Sequence, residues 1–135
     1  MLARENLVKY VILIYHNPAS QRIWESFTAE QRTEGLREYA ALNQALAESG
    51  EMIVSQSLAD QALGRRVAVR DGQVLTTDAP LAETKEQLAG FYLVDCADLD
   101  RAVQIAAMVP EARAGLPGTG LVEVRPIMTY DLLGG

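Results

Sequence analysis

The sequence predicts an α+β fold: a ferredoxin-like βαββαβ chain with an inserted β-hairpin, closed by a second copy into a dimeric α+β barrel. Three observations lead there. Residues 8–15, VKYVILIY, are β-branched and aromatic with one charge, the composition of a central strand buried on most of both faces. Asp71-Gly72 stands between two alternating runs, the strongest short-range hairpin signal. Two stretches of helical character then fall between strand-like runs, giving the order strand, helix, strand, hairpin, strand, helix, strand. A chain of 135 residues fits one domain over 1–135, with a core at about 8–128 and a tail at 129–135.

Each element has its own local reason. HNPAS, residues 16–20, breaks the first strand, because Asn-Pro favours a turn. A helix is expected near Thr28, which has capping-box spacing with Gln31. Leu36, Tyr39, Leu42 and Leu46 recur at three- and four-residue steps as one apolar stripe, and Gly50 supplies a left-handed stop. EMIVSQSLA (51–59) reads as the second strand and DQALGRR as a connecting loop. A two-residue turn at Asp71-Gly72 pairs Arg70 with Gln73, Val69 with Val74, Val67 with Thr76 and Arg65 with Asp78. GFYLVDC (90–96) is another strand; Asp98 caps a helix over 99–109 that Pro110 follows. EARAGLPGTG is a loop, and LVEVRPIM (121–128) alternates as the last strand.

Two helices cover one face of such a sheet. The other face would leave a large apolar patch in water, and pairing with a second copy is the economical remedy. A homodimer with a cavity between or beside the sheets is therefore expected. The polar stretch TDAPLAETK, residues 77–85, is placed at the rim of that hollow.

Charge and composition exclude several classes. The net charge is −6 with no basic block, which argues against direct nucleic-acid binding. The longest apolar runs are too short to span a bilayer, and no cleavage site follows the N-terminal run, so neither a membrane span nor a signal peptide is expected. One cysteine, Cys96, forms no internal disulfide or thiolate cluster and reads as a small hydrophobe. With one histidine besides, no His/Cys metal site is expected. Neither Gly-x-Gly-x-x-Gly, a Walker loop nor Gly-x-Ser-x-Gly occurs, so no cofactor is expected. The setting expected is cytoplasmic and bacterial.

DAPLAETKEQLAGFYLVDCADLDRAV, GLVEVRPIM, VKYVILIYHNP and VRDGQVLTTD together resemble the YCII-related proteins of the DGPF subfamily over roughly residues 8–128. The resemblance implies a small dimeric α+β barrel whose biochemical activity is not established. It also implies a context beside sigma factors of the extracytoplasmic-function type. Two positions depart from the pattern. Asp78-Ala79-Pro80-Leu81 replaces Asp-Gly-Pro-Phe, and Ala89-Gly90 replaces the Gly-Gly before the Phe-Tyr strand. The wider family carries a histidine near the start of the first helix, proposed to act with an aspartate. EQRTEGLREY has none, and the chain's histidine is His16, at the end of the first strand.

The candidate site residues each have two readings. Asp78 is either an acid-base or anchoring carboxylate or a turn former opposite Arg65. His16, the side chain that titrates near neutral pH, is either catalytic or a turn histidine. Glu83 and Lys85 either orient and hold an anionic ligand or, with Glu86, form a solvated turn of local ion pairs. Arg125 binds a ligand carboxylate or merely pairs with Glu123. Tyr15, with Tyr10, Phe91 and Tyr92, lines a cavity or packs as core. Trp24 folds over the cleft mouth or staples the helix. Two functions stay open: a homodimeric module binding a small molecule, such as a small anion, or a protein partner; and a cofactor-free enzyme with Asp78 or His16 as acid-base group and Arg125 or Lys85 holding an anionic substrate.

Overall fold

A computed structural model describes residues 8–78, 86–113 and 121–128. Strand β1 (Val8–His16) leads into helices α1 (Pro18–Ser26) and α2 (Ala29–Ser49). Strand β2 (Met52–Ser57) and a short 3-10 turn (Gln61–Leu63) precede the hairpin strands β3 (Arg65–Arg70) and β4 (Gln73–Asp78). Strand β5 (Gln87–Cys96), helices α3 (Leu99–Ala107) and α4 (Pro110–Arg113) and strand β6 (Val122–Pro126) follow. The architecture is α+β, with a four-stranded antiparallel sheet in the order β2-β5-β1-β6 and a separate two-stranded sheet, β3-β4.

The sheet has one helix-covered face. Along β1, Tyr10, Ile12 and Ile14 are buried; along β5, Tyr92, Val94 and Cys96 are buried. They form one cluster with Leu42 and Leu46 of α2 and with Ala102, Ile105 and Ala106 of α3. Strand alternation sends Val11, Leu13, Phe91 and Leu93 to the opposite face, where they are half-buried. Burial of Cys96 pushes its thiol pKa up, in keeping with a small core hydrophobe.

Several expected signals operate as read. Thr28 and Gln31 exchange both capping-box bonds, and Gly50 ends α2 at φ 78°. Asp98 accepts from the Arg101 amide at 2.9 Å to open α3. The hairpin register pairs Arg65 with Asp78, Val67 with Thr76, Val69 with Val74 and Arg70 with Gln73 across Asp71 and Gly72, both at positive φ. Every residue of that hairpin is exposed.

One expectation fails at Asn17. Asn-Pro does not simply break the chain there; it opens α1. Asn17 Oδ1 accepts from the Ser20 amide at 2.8 Å, Ser20 Oγ accepts from the Asn17 amide at 2.9 Å, and Pro18 occupies the first helical position. Proline suits that position because its missing N–H would have had no intrahelical partner. Strand β5 also begins earlier than expected, at Gln87. Between Ile14 and Tyr15 its register against β1 slips by one: Ile14 faces Gly90 and Tyr15 faces Leu88, leaving Ala89 as the extra residue of a bulge.

At Gly90 a Cβ would lie 2.9 Å from the Gln56 carbonyl oxygen, so glycine permits the close approach of β5 to β2. Ala89 is not among the positive-φ residues, so alanine is unstrained there. Across the other end of the sheet, Arg101 grips Glu51 with two bonds, Nε–Oε2 at 2.9 Å and Nη2–Oε1 at 2.8 Å. That fork ties the start of α3 to the residue before β2.

Candidate functional site

His16, Tyr39 and Glu111 come from β1, α2 and α4, and their side chains meet. His16 Nε2 lies 3.2 Å from Glu111 Oε2, and the Tyr39 hydroxyl donates to Glu111 Oε1. The Glu111 side chain is 19% exposed and that of His16 41%. Burial favours the neutral acid at Glu111, yet the bonds from His16 and Tyr39 outweigh it and hold the carboxyl below its ordinary range. An ionised carboxylate only accepts, so Nε2 carries the proton, and Nδ1 is the basic nitrogen of the neutral ring. Burial, then the charge of Glu111 and the bond to it, push the Tyr39 phenol far up, which keeps it a donor.

A second tyrosine stands behind the first. Burial, helped by the charge of Glu111, pushes Tyr92 up to about 12, and its hydroxyl donates to Asn43 Oδ1 at 2.5 Å. This second bond joins β5 to α2 behind the Glu111 group.

The three side chains stand where two hollows of about 550 and 570 Å³ share a wall. Both hollows are lined by His16, Gln21, Leu36, Tyr39, Asp60 and Glu111. The first continues along the polar ends of β2 and β5, past Ser55, Ser57, Gln61 and Gln87. The second is bounded by Ile23, Trp24 and Phe27 of the α1 segment. Trp24 and Phe27 pack with centroids 5.8 Å apart, and the Arg32 guanidinium sits 5.2 Å from the Trp24 ring. Leu36, expected in the apolar stripe of α2, is 65% exposed and serves as cleft wall instead of core.

A separate cluster forms on the other side of the sheet. The Tyr15 hydroxyl donates to Glu123 Oε1 at 3.1 Å, and Arg125 reaches Glu123 Oε2 at 2.7 Å. Bonds from Arg125 and Tyr15 lower the Glu123 pKa. Tyr15 and Arg125 thus come together, and His16 joins Glu111 elsewhere. Asp78 ends β4 on the exposed hairpin, opposite Arg65. Among the described residues that line the two hollows, Asp78, Tyr15 and Arg125 do not occur. Glu83, Lys85 and most of the stretch expected at the cleft rim lie outside the described residues.

The YCII-related domain model matches residues 8–131. The chain belongs to the YCII-related domain family. A relative, an uncharacterized protein of Rhizobium meliloti (strain 1021), is 33% identical over 121 residues, which cover 90% of this chain and 93% of the relative. Within this YCII-related chain, sequence reasoning reached His16 but missed Glu111 and Tyr39 as its partners. Glu111 lies 95 positions from His16 and Tyr39 lies 72 from Glu111, so no local spacing joins them. A usable signal was Pro110-Glu111, a helix-opening pair read as loop. Among the described residues of this YCII-related chain, no group of three or more His, Cys, Asp or Glu could hold a metal ion, and no helix is long and apolar enough to cross a membrane.

Proposed function

We propose that this YCII-related chain is a small homodimeric protein that binds a small molecule in the cleft around His16. The observation that carries the reading is the convergence of His16 and Tyr39 on a mostly buried Glu111 at the shared wall of two hollows. A few fixed polar groups set in a partly apolar cavity are what a ligand site requires. The strand order β2-β5-β1-β6, all antiparallel, agrees with a ferredoxin-like arrangement, and the half-buried apolar face beyond the helices is where a second copy would dock. The ordered motifs over most of the chain favour the DGPF subfamily and its sigma-factor-linked context.

A specific observation also favours an enzymatic reading. The histidine-aspartate pair that the resemblance implies does not transfer, since EQRTEGLREY has no histidine; His16, just before the first helix, and Glu111 form a different pair, 3.2 Å apart. A carboxylate that orients imidazole and leaves its other nitrogen basic is a general acid-base arrangement. His16 takes the acid-base role in this reading; Asp78, on the hairpin, and Arg125, engaged by Glu123 on the other sheet face, line neither hollow.

Thermal-shift screening of a metabolite library tests binding. Ligands are expected to raise the melting temperature of the wild type and to lose much of that effect in His16→Ala and Tyr39→Phe. A folded wild type stabilised by no compound, or stabilised equally in both variants, would overturn the proposal.

A further inference from the structure

We infer, granting that the cleft is the ligand site, that its ligand is a small hydrophobic cation: an organic amine with an apolar body. The described lining residues with ionisable carboxyls are Glu25, Asp60 and Glu111, set against one imidazole, His16. Glu111 is held ionised, and the chain as a whole carries −6. A carboxylate ligand entering that space meets like charge, most strongly at the part-buried Glu111, whereas an ammonium meets opposite charge there and at the exposed Glu25 and Asp60. Asp60 lines both hollows, and its Oδ1 caps the adjacent 3-10 turn by accepting from the Ala62 amide at 2.8 Å, so the group is fixed in place.

The remaining walls fit the rest of such a molecule. Ser55, Ser57 and Gln87 offer oxygens to the three donors of an ammonium. Ile23, Trp24, Phe27 and Leu36 accept an apolar body on the other side. The Trp24 ring already carries a cation, Arg32, which is committed to the Trp24 and Glu25 carbonyls at 3.1 and 3.2 Å. An anionic ligand drawn by Arg125 would have to displace Glu123 on the opposite sheet face.

Phenethylamine, 2-phenylethanol and phenylacetate share one body and differ in charge, so titration calorimetry with the three decides the matter. The amine is expected to bind about ten-fold more tightly than the alcohol, with the carboxylate weakest. Its affinity should fall as sodium chloride rises from about 20 to about 500 mM, while the alcohol's stays nearly constant. Asp60→Asn, which keeps a capping oxygen, should cut amine binding about ten-fold and alcohol binding far less. Alcohol binding as tight as amine binding, or phenylacetate binding tightest, overturns the charge assignment and leaves the cleft as ligand site intact. Binding by none of the three also overturns it, and the library screen then decides separately whether the cleft takes a ligand.

Discussion

At the scale of single residues, Glu111 is the group on which the cleft turns. Two donors compensate its burial, so removing either exposes the cost of desolvation. Tyr39→Phe is expected to destabilise the fold by about 1–3 kcal/mol and to raise the Glu111 pKa, read by carboxyl NMR titration. The sign of the pH dependence follows. A carboxyl whose folded pKa is lowered contributes stability that is present above its unfolded value near 4.5 and is lost as pH falls through the folded value. Glu51, lowered mainly by its bonds from Arg101, acts in the same window. Chemical denaturation from pH 6 down to about pH 3 should therefore show falling stability, with a shallower slope in Glu111→Gln. An unchanged slope in that variant would remove Glu111 as a contributor. His16 was legible from the sequence because histidine is scarce here. Its partners were not, since a lone glutamate and a helix-face tyrosine carry no mark of what they will touch after folding.

Elements show where local grammar suffices and where it divides. Asp71-Gly72, Thr28 with Gln31, and Asp98 each specify one geometry through contacts within four residues, and all three elements stand where the sequence placed them. Asn17-Pro18 was ambiguous because the same dipeptide can turn a chain or cap a helix, and the Ser20 hydroxyl, answering Asn17, decided it. The cleft wall that α1 supplies was legible for that reason only at Trp24, one of whose two readings set it over the cleft mouth. The approach of β5 to β2 gives a sharper test. Gly90→Ala sets a methyl against the Gln56 carbonyl, so those strands must part, at a cost of about 1–3 kcal/mol. The Leu58 amide, bonded to the Ala89 carbonyl at 2.8 Å, should then exchange with solvent faster. An unaltered exchange rate would mean the edge strand yields without strain.

For the whole molecule, the decisive asymmetry is between the two sheet faces. One is sealed by α2 and α3; the other carries Val11, Leu13, Phe91 and Leu93 beside the Tyr15–Glu123–Arg125 cluster. Sedimentation at micromolar concentration should give a dimer, and Leu13→Lys should convert it to monomer while far-ultraviolet circular dichroism stays unchanged. A wild-type monomer would end that expectation. The shortage of helices made one covered face readable in advance, whereas the near-continuous apolar run of β1 did not mark which residues that face would hold. The location of the cleft was not readable, because it depends on how α1 leans on α2 and on residues far apart in the chain.

The slip in β5 reaches further than a local irregularity. With Ala89 looped out, the ladder seats Gln87 across from His16 and Leu88 across from Tyr15. Were Ala89 instead drawn into the ladder opposite Tyr15, an unbroken register would bring Leu88 in beside the imidazole, exchanging an amide neighbour for a hydrocarbon one. A single uncounted residue therefore selects the chemical company the histidine keeps.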